Sequence, residues 1–128
     1  MKVKWLDTAI VVLPNRFTLC TTDAIMQKEL KRLGVPKAEW IDFNNPRWLA
    51  CVFEVKDCNE DICSIVLIKV KPDRCQLTTM SLLVHEAVHV WQTGRQMLGE
   101  KNPSDEFEAY ALQFISQSLF KEYARQTA

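Results

Sequence analysis

At 128 residues, 48% of them hydrophobic, the chain can bury one ordinary core and has no room for a second, so residues 1–128 are expected to form a single domain. Sixteen basic and sixteen acidic side chains cancel, which removes the electrostatic signature of a nucleic-acid binder or a polybasic membrane surface. No apolar run approaches transmembrane length, and Ile10 to Leu13 is far too short for a signal-peptide core; the expectation is a cytoplasmic protein that engages no membrane.

In chain order, the first predicted element is a short strand from Thr8 to Leu13, apolar and β-branched ahead of Pro14. A helix follows over Thr22 to Leu33, with Thr22 as N-cap, Gly34 as stop and apolar spacing at Ile25, Met26, Leu30 and Leu33. Trp48 to Val55 and Ile62 to Val70 are β-rich runs joined by Lys56 to Asp61, which reads as a hairpin. The five cysteines, Cys20, Cys51, Cys58, Cys63 and Cys75, are odd in number and lack CxxC spacing, so buried thiols in a reducing compartment are expected rather than a disulfide or a second zinc site.

The next helix is predicted from about Thr79 to Thr93, with Thr78 or Thr79 as N-cap and Gly94 as stop. It carries both histidines of the chain in one pentapeptide, His85-Glu86-Ala87-Val88-His89, the HExxH signature of zinc-dependent hydrolases. Residues four apart on a helix share a face, so two imidazoles can reach one metal ion while the intervening glutamate lies close enough to act on a water there. Two core histidines satisfied by backbone carbonyls are the alternative. Against it, two buried imidazoles around a buried carboxylate are costly without a cation.

Zinc in a catalytic site takes a third protein ligand, and with no histidine left a carboxylate must serve. Thr93 to Pro103 reads as a linker into a last helix that starts at Asn102 or Ser104, has an acidic first turn (Asp105, Glu106, Glu108) and continues apolar through Phe114, Ile115, Leu119 and Phe120. Helical geometry leaves two candidates. Glu108 shares the apolar stripe of Ala111, Leu112, Ile115 and Leu119 and ought to be buried, whereas Glu106 shares a polar face with Ala109, Tyr110, Gln113 and Gln117. His85, His89 and Gln92 form a similar stripe, and two such faces could meet around a wet metal site, so burial points to Glu108 and the pairing of faces to Glu106, and geometry leaves both open as the third ligand.

His85-Glu86-Ala87-Val88-His89 followed by Glu106-Phe107-Glu108-Ala109-Tyr110 resembles the gluzincin metallopeptidases, which join HExxH to a Glu-x-x-Ala segment on a following helix. The resemblance, from about Leu77 to Gln117, is closest to small zincin-like proteins of phages and prophages. It implies an α+β fold of minimal gluzincin type: an antiparallel hairpin or small sheet packed on the HExxH helix and a C-terminal helix bearing the glutamate. By the same resemblance Glu106 is the third zinc ligand and Ala109 the small residue that lets the helices approach. Tyr110 stands where the family often has an aspartate or asparagine.

The expected activity is zinc-dependent hydrolysis of peptide bonds, with one zinc per chain, a zinc-activated water and Glu86 as general base and then general acid. Tyr110 and Tyr123, or Arg74 and Arg95, are the candidate donors to the developing oxyanion. The run Ile62 to Val70 has two readings, a strand that borders the cleft and, with a free edge, pairs with an extended peptide, or an ordinary core strand. Little chain follows His89 to build a far wall, so the peptidase is expected to lean on a protein partner, a homo-oligomer or its peptide or protein substrate. The alternative is a catalytically weak or inactive zincin-fold protein that acts as a protein-binding module.

Overall fold

A computed structural model describes residues 1–6 and 13–128 of the chain. The predicted strand from Thr8 falls outside the described residues except for Leu13, which is buried but not in a strand. The elements are β1 (Arg16–Cys20), α1 (Asp23–Leu33), a 3-10 turn (Lys37–Glu39), β2 (Ala50–Lys56), β3 (Ile62–Ile68), α2 (Gln76–Leu98) and α3 (Asp105–Gln126). The described residues are α+β, with a three-stranded sheet in the order β1-β3-β2. β1 runs parallel to β3, and β2 antiparallel to it.

The sheet is thus mixed. Its hairpin is the predicted one, closed by Asp57, whose Oδ1 accepts from the amides of Asn59 (2.8 Å) and Asp61 (3.0 Å). α1 forms as its caps dictate: Thr22 Oγ1 accepts from the Ile25 amide at 3.1 Å, and Gly34, at φ 79°, sends its N–H to the Leu30 and Lys31 carbonyls.

Alternation of side chains along the strands divides the interior in two. Phe17, Leu19, Val66 and Ile68 face α2 and α3, packing on Leu83, Ala87, Trp91, Ile115 and Leu119. Cys20, Cys63, Ile65 and Leu67 face α1 and the segment around Phe43. The run Ile62 to Ile68 is buried on both faces because it is the central strand, with partners on each side. Of the two readings it is the core strand; among the described residues the edge strand beside α2 is β2, which pairs on one side only.

α2 is longer than predicted at both ends. It begins at Gln76 after Cys75, which gives no side-chain cap, and it passes through Gly94 to stop at Gly99, at φ 71°. Gly94 does not end the helix because its missing side chain is a packing requirement. A Cβ there would stand 2.8 Å from Asn15 Oδ1. Ser104 caps α3, its Oγ accepting from the Phe107 amide at 3.2 Å. The cysteines divide: Cys20 and Cys63 are buried as expected, Cys51 is half-buried, and Cys58 and Cys75 are exposed turn and cap residues, contrary to the expectation of buried thiols. Among the described residues no helix is long and apolar enough to cross a membrane.

Candidate metal centre

α2 buries Leu83, Glu86, Ala87, Val90, Trp91 and Gly94 and turns the opposite side outward. His85 and His89 lie on that outer side, exposed, which sets aside the alternative of two core histidines. The burial cost that argued for a cation does not apply to them, and the case rests on geometry.

Their rings stand 4.9 Å apart between centroids at 75°, with the two Nε2 atoms 3.3 Å apart. Two nitrogens each about 2.0–2.1 Å from a tetrahedral zinc are separated by about 3.3–3.4 Å, so the spacing is that of two ligands on one ion. The same spacing also allows a hydrogen bond from one imidazole to the other. His89 is oriented further: its Nδ1 is 2.9 Å from Gln92 Oε1. An Nδ1–H donating to that amide oxygen leaves the Nε2 lone pair directed at His85, the arrangement that outer partners of metal-binding histidines commonly enforce.

Glu86 sits between the histidines in sequence but on the inner flank of the helix, 4% exposed. Desolvation raises its carboxyl above the ordinary range, while the positive ends of His85 and His89 pull it down. Cys51 on β2 lies near enough to feel it. Burial first, then the Glu86 charge, push that thiol up to about 11. β2 also packs against α2, the helix that carries the HExxH turn.

The α3 residues are placed differently from one another. Glu108 is half-buried on the stripe of Ala111, Ile115 and Leu119, and its Oε2 accepts from the Trp91 indole at 2.7 Å. That bond locks α3 to α2, with Phe107 against the same indole at 5.6 Å. Glu106 is exposed with Ala109, Tyr110, Gln113 and Gln117. The face they share is open to solvent, as are His85 and His89, and the small residue buried at the helix contact is Ala111, not Ala109. Among the described residues no group of three His, Cys, Asp or Glu side chains is assembled around one point. The structure brings together His85 and His89 but adds neither glutamate to them.

The remaining candidates are accounted for individually. Tyr110 is 60% exposed and belongs to no core, while Tyr123 packs against the core between sheet and helices. Arg74 spends its guanidinium on the Lys69 carbonyl at 2.6 Å and Thr79 Oγ1 at 3.4 Å, tying the end of β3 to the start of α2. Arg95 has a buried Nε with no hydrogen-bond partner among the described residues.

A polar chain that sequence reasoning missed runs beneath the site. Asn15, wholly buried, donates from Nδ2 to the Val90 carbonyl at 3.1 Å and to Ser64 Oγ at 2.9 Å. Ser64 donates to Glu54 Oε2 at 2.6 Å, and Thr93 donates to Glu54 Oε1 at 2.9 Å. Residues beside all three strands are thereby bonded to the turn of α2 that follows His89. The one signal in the sequence is Glu54 itself, a carboxylate inside the run Cys51-Val52-Phe53-Glu54-Val55. Compared with protein-family models, with curated proteins and with solved structures, the chain matches none.

Proposed function

We propose that the chain is a zinc-dependent peptidase of minimal gluzincin type, and the observation that carries the reading is the 3.3 Å approach of the two Nε2 atoms beside a buried glutamate. His85 and His89 would hold the ion, and α3 would supply the third ligand from Glu106, with Glu108 as the alternative. Glu108 has a competing role in its bond to Trp91; Glu106 has no such tie and is carried on the exposed first turn of α3. Zinc held by His85 and His89 would supply Lewis acidity toward the attacking water and the substrate carbonyl oxygen.

The chain's own residues supply the rest. Glu86 takes the proton of the attacking water and returns it to the leaving amine. Its carboxylate makes no hydrogen bond with the other described residues, so both oxygens remain available for that exchange. Gln92 fixes the tautomer of His89. Among the described residues β2 pairs on one side only, and the backbone N–H and C=O groups of its other side would receive an extended peptide lying along α2 past the histidines.

Metal analysis joined to one substitution tests the reading. The protein purified with zinc supplied and no chelator is expected to hold one zinc per chain. Glu86→Gln should retain it and lose peptide hydrolysis by about 100-fold or more. Absence of zinc, or equal hydrolysis by both proteins, refutes the proposal. A second reading, a zincin-fold protein-binding module, draws on Leu77 and Val84, apolar and exposed on the helix that carries the histidines. A zinc-loaded wild type inert on every peptide pool, with partner affinity indifferent to Glu86→Gln, would favour it.

A further inference from the structure

Glu54 is a charge that the fold does not neutralise. The ion pairs among the described residues are Arg16 with Asp57, Arg32 with Glu29 and Arg125 with Glu122; each buried carboxylate among them has its cation. Glu54 has none, yet both its oxygens are held in place, one by Ser64 and one by Thr93. Ser64 is itself fixed by the buried Asn15. A glutamine could accept the same two hydroxyl bonds without bringing a negative charge to an apolar strand. Packing against α2 desolvates the carboxylate and raises its pKa, the two hydroxyls pulling the other way; a cation beside it would reverse that penalty.

Its position gives the charge a use. Glu54 is exposed, on the edge strand, and turned toward α2. Thr93, which it touches, lies one turn beyond His89 on the helix. Four residues of helix rise about 6 Å, and an extended peptide advances about 3.3 Å per residue, so the carboxylate is displaced from the histidines by about two residues of a bound strand. Side chains two apart on a strand point the same way.

Building on the peptidase reading, we propose that Glu54 is a specificity-determining residue that receives a lysine or arginine side chain carried about two residues from the scissile bond of the substrate.

The test uses the full zinc-loaded chain and a peptide series in which one position at a time carries lysine, norleucine or glutamate, with products read by mass spectrometry. The wild type should prefer lysine over norleucine about 10-fold in kcat/KM at a single position about two residues from the cut. In Glu54→Gln that ratio should fall to about 1, and in Glu54→Lys the preference should pass to glutamate. Cleavage by the wild type without a basic preference, or a preference that survives Glu54→Gln, overturns the proposal while leaving the peptidase reading intact. Should the wild type cleave nothing, the peptidase reading fails separately, and fluorescence anisotropy with the same lysine and norleucine peptides decides on Glu54. Tighter binding of the lysine peptide that Glu54→Gln abolishes supports the cation site; equal binding refutes it.

Discussion

Gly94→Ala is the sharpest probe of how the sheet holds the histidine-bearing helix. In an ordinary helix interior the change stabilises by about 1 kcal/mol, because alanine gives up less backbone freedom on folding. Here the new Cβ would stand 2.8 Å from Asn15 Oδ1 and 3.3 Å from Leu13 Cδ2. Asn15 is fully buried and pinned by its bonds to Val90 and Ser64, so it cannot swing aside without losing them. Two bonds at about 1 kcal/mol each, with about 1 kcal/mol more for crowding, outweigh the propensity gain. The net cost is about 2 kcal/mol, or about 6–10 °C in Tm for a chain of this size. Urea and thermal denaturation measure it directly. Asn15→Ala destabilises on its own account, but in that background Gly94→Ala should turn neutral or stabilising, a coupling of about 2–3 kcal/mol between the two sites. Gly99→Ala is the control: nothing lies within 4 Å of its Cβ, and its φ of 71° alone should cost about 1 kcal/mol. A Gly94→Ala protein more stable than wild type, or one whose penalty persists without Asn15, would refute the steric account.

What the sequence announced and what it concealed divide along the line between local and tertiary causes. The i,i+4 histidines, the Thr22 and Gly34 caps and the Asp57 turn act within a few residues, and each appears where it was expected. Gly94 reads as a stop only because its partner, Asn15, lies far away in sequence. The placement of Glu108 depends on meeting Trp91 across two helices, and helical periodicity assigns it to the apolar face without saying what waits there. The roles of the two hairpin strands are legible only as alternatives until the pairing is known. Ile62 to Ile68 is apolar without alternation, as a strand covered on both faces must be, while Glu54 and Lys56 interrupt β2 and mark it as the edge. β1 was missed because Arg16–Cys20 is only five residues long and takes its stability from pairing with β3 rather than from local pattern.

The third ligand and the joint between the chain's ends give the remaining tests. If Glu106 coordinates, Glu106→Gln should weaken zinc retention about 10-fold or more in a competition titration with a chelator, and Glu108→Gln, whose amide oxygen can still accept from the Trp91 indole, should leave retention unchanged and act on folding or not at all; the reverse ranking moves the role to Glu108. Glu122, 2% exposed, accepts from Arg125 at 2.7 Å, from Gln126 at 2.8 Å and from the Lys4 amide at 3.1 Å, tying α3 to the N-terminal segment. Desolvation works to raise its carboxyl, but the Arg125, Gln126 and Lys4 donors outweigh it and hold the pKa below the ordinary 4.5. A carboxyl depressed in the folded state adds stability above its unfolded value and loses it as pH falls through the folded one. With Arg125 one-third exposed, the contribution at neutral pH is about 1–2 kcal/mol rather than the larger figure of a fully buried pair. Glu122→Gln should therefore lose about that much at pH 7 and converge on the wild type as the pH drops below about 4. Parallel denaturation profiles across the acid range, with no convergence, would show that the carboxylate is not what the joint depends on.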